Sequence, residues 1–285
     1  MTGIKYIGIA GAGTMGRGIA QVFAQAGFEV TVYDVIPALA VQAKQEIEKT
    51  LQVLVDKKKI TEQEKTESLG RIKPVARVEE LKGDLIIEAI AEVVDTKREL
   101  IRKLEDSQPA EILIVTNTSS LSVTELSAGM RYPQRFAGLH FFNPAPVMKL
   151  VEVVQGGLTA AETVHQLVAL VKRVGKYPVL THDSPGFIVN RVARPYYTEA
   201  LKLLEEQVAN VQTIDKLMRA TGFKMGPFEL MDLIGNDVNY AVTKSVYEAF
   251  SGEPRFRPSR IQEHKVKAGH LGRKSGKGFY DYDKK

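Results

Sequence analysis

The chain opens on Tyr6-Ile7-Gly8-Ile9-Ala10, an unbroken apolar run of strand length. A glycine-rich stretch follows, then apolar residues at helical spacing: Ile19, Ala20, Val22 and Phe23. Gly27 ends that helix, and residues 29–33 read as a second strand. Residues 37–69 are helical and charged, with Lys57-Lys58-Lys59 between two helices. Residues 72–76 and 84–89 read as strands three and four, 96–104 as a helix and 112–115 as a strand. Strands separated by helices at this spacing predict a parallel sheet built from βαβ units.

The pattern changes after Tyr132-Pro133. Strands at 135–142 and 148–154 are separated only by Asn143-Pro144-Ala145-Pro146-Val147, too short for a parallel crossover, so they should pair antiparallel. A helix at 160–174 and a last strand at 178–181 follow. Asp183-Ser184-Pro185-Gly186 carries turn chemistry and marks the boundary between domains 1–183 and 184–285. Beyond it the pattern is almost wholly helical: 187–208, with Pro195 inside it, then 213–220, 228–250 and a shorter helix near 260–268.

Composition narrows the function classes. Hydrophobic residues at 44% and charged residues at 26% describe an ordinary globular chain. The lack of cysteine excludes disulfides, thiolate zinc sites, iron–sulfur clusters and a thiol nucleophile, and is compatible with the cytoplasmic location expected here. No apolar run has the length of a membrane span, and the N-terminus runs straight into a strand with no room for a signal peptide. The net charge of +5 is uneven: residues 251–285 hold ten Lys/Arg against four Asp/Glu, a local +6. Such a tail suits nucleic acid, anionic lipid, a phosphorylated small molecule or simply solvent. It contains no recognisable nucleic-acid module, and neither nucleic acid nor membrane is expected as a partner.

Gly11-Ala12-Gly13-Thr14-Met15-Gly16 fits G-x-G-x-x-G in the context that gives the motif its meaning, after a strand and opening a helix. Gly11 makes the turn, Gly13 admits pyrophosphate to the backbone, and Gly16 lets helix and strand pack closely. Asp34 ends the second strand 18 residues after Gly16, placed to bond the adenine ribose and repel a 2′-phosphate. The expectation is NAD, bound to a Rossmann-type, mainly parallel α/β sheet with an antiparallel extension, followed by an all-α domain.

With the antiparallel pair centred at Pro146, His140 and Glu152 lie six residues to either side and face each other. A carboxylate there would fix the tautomer of the imidazole and raise its basicity, as a general base requires. A structural histidine in a strand fits the same spacing. His165, His182, His264 and His270 lack such a partner. Thr116-Asn117-Thr118-Ser119-Ser120 follows a parallel strand, where open α/β sheets bind ligands. Its hydroxyls could serve a reacting oxygen or cap the next helix. Ser122 to Glu125 reads as a capping box, which leaves Ser119 for function. Glu92 and Lys97, also past a strand, read alone as an exposed ion pair. The chain has no Walker A loop, no G-x-S-x-G, no H-E-x-x-H and no EF-hand loop.

Taken in order, these segments resemble the L-3-hydroxyacyl-CoA dehydrogenase family, and most of all its short bacterial 3-hydroxybutyryl-CoA dehydrogenases. The resemblance rests on the glycine loop, Asn117-Thr118-Ser119-Ser120, Gly138-Leu139-His140-Phe141-Phe142-Asn143-Pro144 and Asp183-Ser184-Pro185-Gly186-Phe187-Ile188-Val189-Asn190-Arg191. It continues through Gly226-Pro227-Phe228-Glu229-Leu230-Met231-Asp232 and Gly276-Lys277-Gly278-Phe279-Tyr280. It implies His140 as base with Glu152 as its partner, Ser119 and Asn190 around the substrate oxygens, and Glu92, Lys97, Asn117, Asn143 and Lys274 along the cofactor. It places Thr50 and Lys57 against CoA, with Thr50 standing where some relatives have serine. It implies an acyl-CoA substrate, no required metal, and a helical second domain that closes over the substrate and forms a homodimer. Asn236 stands where an apolar residue is expected, bearing on the interface or the acyl pocket. The rival readings are a dehydrogenase for a carrier-bound hydroxyacyl group or a sugar acid, and a non-catalytic nucleotide binder.

Overall fold

The computed structural model describes residues 3–282. The chain divides into two compact units, Met1–Asp183 and Ser184–Lys285.

The first unit alternates strand and helix: β1 (Tyr6–Ala10), α1 (Thr14–Gln25), β2 (Glu29–Tyr33), α2 (Pro37–Asp56), α3 (Glu62–Gly70), β3 (Ile72–Val75), β4 (Leu85–Glu88), α4 (Val94–Ser107) and β5 (Leu113–Thr116). It continues with α5 (Val123–Leu126), β6 (Phe136–Phe141), β7 (Leu150–Gln155), α6 (Ala161–Arg173) and β8 (Tyr177–His182). The strands form one sheet in the order β3-β2-β1-β4-β5-β6-β7-β8. Its first six are parallel and ordered as in doubly wound dinucleotide-binding sheets. β7 runs antiparallel to β6 and parallel to β8, which gives the expected extension.

The core explains the pattern. β1, β4 and β5 are buried on both faces, as parallel strands covered by helices must be, so they read as continuous apolar runs rather than alternations. Helix α1 turns Ile19, Ala20, Val22 and Phe23 onto the sheet, and Phe23 meets Phe28 and Phe141 edge to face. Each large apolar side chain buried there contributes about 1.5–3 kcal/mol. Close approach fixes Gly16: a Cβ at that position would lie 1.8 Å from the Gly11 carbonyl oxygen. Helix α3 begins with a full capping box between Thr61 and Glu64. Helix α4 runs a turn beyond the predicted 96–104.

The second unit is helical: α7 (Val189–Glu205, containing Pro195), α8 (Val211–Ala220), α9 (Pro227–Ile234), α10 (Asn236–Ala249) and α11 (Arg260–Lys267). The single helix expected over 228–250 is broken between α9 and α10. Gly235 takes a φ of 103°, which other residues rarely adopt. Asp232 is the reason to break there. It accepts hydrogen bonds from the backbone N–H groups of Phe279 and Tyr280 at 2.9 Å and from Asn236 Nδ2 at 2.8 Å. Asn236 is fully buried in this unit as part of that junction. Asp215 caps α9 from a neighbouring helix, accepting the N–H groups of Phe228 and Glu229 at 2.9 Å and the Tyr280 hydroxyl at 2.8 Å. Burial pushes its carboxyl above the usual range.

Among the described residues, no helix is long and apolar enough to cross a membrane.

Candidate functional site

Residues just past the C-terminal ends of β1, β2, β4, β5 and β6 gather the first group of predicted site residues on one edge of the sheet. Between β1 and β4 the connections depart in opposite directions, and this is where open α/β sheets place a crevice.

Gly11, Ala12, Gly13, Thr14, Met15 and Gly16 bridge β1 and α1. The Gly11 N–H donates to the Tyr33 carbonyl at 2.8 Å, tying the loop to β2. Gly13 is the N-cap of α1 and brings no side-chain acceptor to the first turn, and no acidic residue stands in that turn. A Cβ on Gly13 would meet nothing within 4 Å, so the approach to these N–H groups is open. The helix start therefore fits an anionic pyrophosphate. Asp34 closes the same corner. Its Oδ2 accepts the Ala12 N–H at 2.8 Å and its Oδ1 the Ile36 N–H at 3.1 Å. It thus braces the glycine loop from the end of β2.

The Glu92–Lys97 pair is not the exposed surface contact that spacing alone suggests. Lys97 is 1% exposed and its Nζ lies 2.7 Å from Oε1 of the fully buried Glu88, at the end of β4, and 3.2 Å from Glu92 Oε2. Glu88 also accepts the Ile90 N–H at 2.8 Å and the Thr116 hydroxyl at 2.6 Å. Glu92 faces the other way. It accepts the Thr118 hydroxyl at 2.5 Å and the Ser119 N–H at 2.8 Å. Burial works against its charge, but Lys97, the Thr118 hydroxyl and the Ser119 N–H outweigh it and hold the carboxyl below the ordinary range. One ammonium thus links the floor of the sheet to the loop that carries Ser119. Glu88 escaped sequence reasoning because it sits inside a strand, with only its charge among apolar neighbours to mark it.

Asn117 serves the scaffold too: its Oδ1 accepts the Phe141 N–H at 2.9 Å, joining the end of β5 to β6. Ser122 caps α5, accepting the Glu125 N–H at 3.1 Å, but the return half of the capping box is replaced, because the Glu125 side chain lies 3.7 Å from Arg98. Asp183 holds the same turn, accepting the Ser122 hydroxyl at 2.7 Å and the Thr124 N–H at 2.8 Å.

β6 and β7 place His140 opposite Glu152 in register. His140 Nδ1 stands 2.7 Å from Glu152 Oε2, with both residues buried, and the Phe142 ring lies 4.4 Å from the imidazole. Asn143 lies exposed just past β6. Thr50 is exposed on α2 and Lys57 is exposed at that helix's C-cap; the Thr50 hydroxyl donates to the Glu46 carbonyl at 2.9 Å.

Two predicted residues belong to the second unit. Asn190 lies in the first turn of α7. Lys274 Nζ is held by the Asp237 carboxylate at 2.6 and 2.7 Å.

Comparison with known proteins places this arrangement. Residues 6–184 match the NAD binding domain of 3-hydroxyacyl-CoA dehydrogenase, and residues 186–282 match its C-terminal domain. The chain is 49% identical over 284 residues to 3-hydroxyadipyl-CoA dehydrogenase of Escherichia coli K12, covering 99% of this chain and 60% of that relative's length. It is 42% identical to a probable 3-hydroxybutyryl-CoA dehydrogenase of Bacillus subtilis, over 99% of both chains. The crystal structure of (S)-3-hydroxybutyryl-CoA dehydrogenase from Ralstonia eutropha superposes with a TM-score of 0.94 at 40% identity, covering 99% of this chain and 100% of that one. With both domain models matched in order and a glycine loop shaped for the dinucleotide, the chain belongs to the 3-hydroxyacyl-CoA dehydrogenase family.

Proposed function

We propose that this protein interconverts L-3-hydroxyacyl-CoA and 3-oxoacyl-CoA with NAD, acting on short acyl groups such as 3-hydroxybutyryl and acetoacetyl. The observation that carries the reading is the buried His140–Glu152 pair, 2.7 Å apart, in the same unit as a loop that fits a dinucleotide. The relatives' names span a short neutral acyl group and one that ends in a carboxylate.

The residues divide the work as follows. Gly11, Ala12, Gly13, Thr14, Met15 and Gly16 hold the pyrophosphate and Asp34 the ribose, with Glu92, Lys97, Asn117, Asn143 and Lys274 supporting the cofactor. Bound there, NAD supplies the hydride acceptor for oxidation. Glu152 engages Nδ1 of His140, so Nε2 takes the proton of the 3-hydroxyl. Glu152 then stabilises the imidazolium and keeps the ring oriented. Ser119 bonds the 3-oxygen and Asn190 the thioester carbonyl. Lys97 is too deeply buried to meet the cofactor directly and acts through Glu92. Thr50 and Lys57 meet the CoA moiety, and the second unit contributes dimerisation. The working location is the cytoplasm.

The test is NADH oxidation with acetoacetyl-CoA, beside NAD reduction with a free sugar acid as the alternative substrate class. Turnover of the CoA ester alone is expected. No turnover of any 3-oxoacyl-CoA would overturn the reading.

A further inference from the structure

The second unit buries a guanidinium that has no counter-anion among the described residues. Arg194, on α7, is 3% exposed. Its Nε donates to the Asn190 carbonyl at 3.1 Å, and its Nη1 donates to the Asn239 carbonyl at 3.0 Å and the Thr243 hydroxyl at 2.9 Å. The guanidinium carbon stands 4.8 Å from the centre of the Tyr197 ring. Those bonds occupy Nε and Nη1. Among the described residues the Nη2 amino group has no hydrogen-bond partner, and no carboxylate lies within ion-pairing distance of the side chain. Burial lowers the guanidinium to about 10. A cation taken out of water and surrounded by neutral acceptors is costly, and a protein keeps such a group where an anion meets it.

A second donor lies beside it. Asn239 is 1% exposed and spends Oδ1 on Gln262 Nε2 at 3.0 Å, while its Nδ2 has no partner among the described residues. The carbonyl of this same residue accepts from Arg194, so the two donors belong to one cluster. A planar carboxylate, with two oxygens that only accept, is the group that matches a guanidinium fork and an amide N–H. Asn236 Oδ1 and Gln262 Oε1, also buried without a hydrogen-bond partner among the described residues, are acceptors and lie outside this donor set.

We propose that Arg194 and Asn239 recognise a carboxylate at the far end of the acyl chain, so that the protein prefers 3-hydroxyacyl-CoA substrates whose acyl group ends in an anion. This rests on the 3-hydroxyacyl-CoA reading and changes its preferred acyl group, leaving acetoacetyl-CoA as a substrate that is turned over less efficiently.

The experiment compares 3-oxoadipyl-CoA with 3-oxohexanoyl-CoA, equal in carbon number and differing at the terminal group, with acetoacetyl-CoA alongside. The unaltered protein should favour the adipyl ester in kcat/KM by about 10²-fold or more, since a site built for a polar group rejects the analogue that lacks it. Arg194→Met should bring the ratio toward one, and Arg194→Lys, which keeps the charge but loses the fork, should fall between. A ratio near one in the unaltered protein, with acetoacetyl-CoA turned over, overturns the carboxylate assignment alone. Equal loss on both esters in Arg194→Met overturns it as well. Turnover of none of the three compounds overturns the hydroxyacyl-CoA reading and this assignment with it.

Discussion

Lys97 Nζ lies 2.7 Å from Glu88 Oε1, and neither side chain reaches water beyond 1% of its surface. Breaking a buried pair from one side strands the other charge and costs about 3–5 kcal/mol. Lys97→Met should therefore lower the urea midpoint sharply. Lys97→Met combined with Glu88→Gln should recover part of that loss, because the stranded carboxylate is gone. Simple addition of the two losses would mean that the pair does not act as a unit.

His140→Gln should lower kcat by roughly 10²–10⁴-fold, the usual contribution of a positioned base. NADH affinity should change little, since it rests on the glycine loop and Asp34. Glu152→Gln should also lower kcat, and the double variant should be little worse than His140→Gln alone. Near-normal turnover by His140→Gln, or losses that multiply, would remove the pair from the mechanism.

Asp34 should make NADH the preferred cofactor over NADPH, by like-charge repulsion of a 2′-phosphate. Asp34→Ser should narrow the gap in kcat/KM. It should also weaken NADH binding, because the same carboxylate braces the Ala12 N–H at 2.8 Å. Equal kcat/KM for both cofactors in the unaltered protein would contradict this.

The carboxyl of Glu92 is held below its ordinary 4.5 in the folded protein: burial raises it, but Lys97, Thr118 and Ser119 lower it further. Between that lowered value and 4.5 the unfolded chain binds the extra proton. The resulting stability is present above pH 4.5 and disappears as pH falls through the folded value. Urea midpoints measured across acid pH should fall less steeply for Glu92→Gln than for the unaltered chain. An unchanged slope would remove Glu92 from the acid response.

The helical unit should form a symmetric homodimer. Of the apolar residues that suggested it in the sequence, Phe228 and Met231 are spent on the unit's own core and Leu230 packs against it. Leu233 and Ile234 remain, at 49% and 40% exposed. Sedimentation should give a dimer at micromolar concentration, weakened by Leu233→Asp. A monomer at that concentration would refute the expectation.

Much of the first unit was readable because two periods coincide with burial. Strands covered on both faces give apolar runs, and α1 turns apolar residues onto the sheet at helical spacing. The His140–Glu152 pairing followed from loop length alone, since antiparallel register is symmetric about the turn. What escaped was set by contacts distant in sequence. The break at Gly235 answers to Asp232 and to residues 279 and 280. The depth of Lys97 depends on Glu88, nine residues earlier and on another element. Arg194 looks like a surface cation until α10 packs against it. Charge in the sequence carries no sign of depth, so groups that are buried and ionised are the ones a linear reading places on the surface.

The pairing of β6 with β7 has a consequence for how this gene can vary. Adding or deleting one residue in the 142–149 connection, where β7 takes up the change as a slip in register, would set a valine, Val151 or Val153, opposite His140 and turn Glu152 to the other face of the sheet. Surface loops ordinarily accept insertions and deletions freely. This one should accept substitutions yet keep its length, so that among descendants of the chain, gaps in this connection would be as rare as replacements of the histidine.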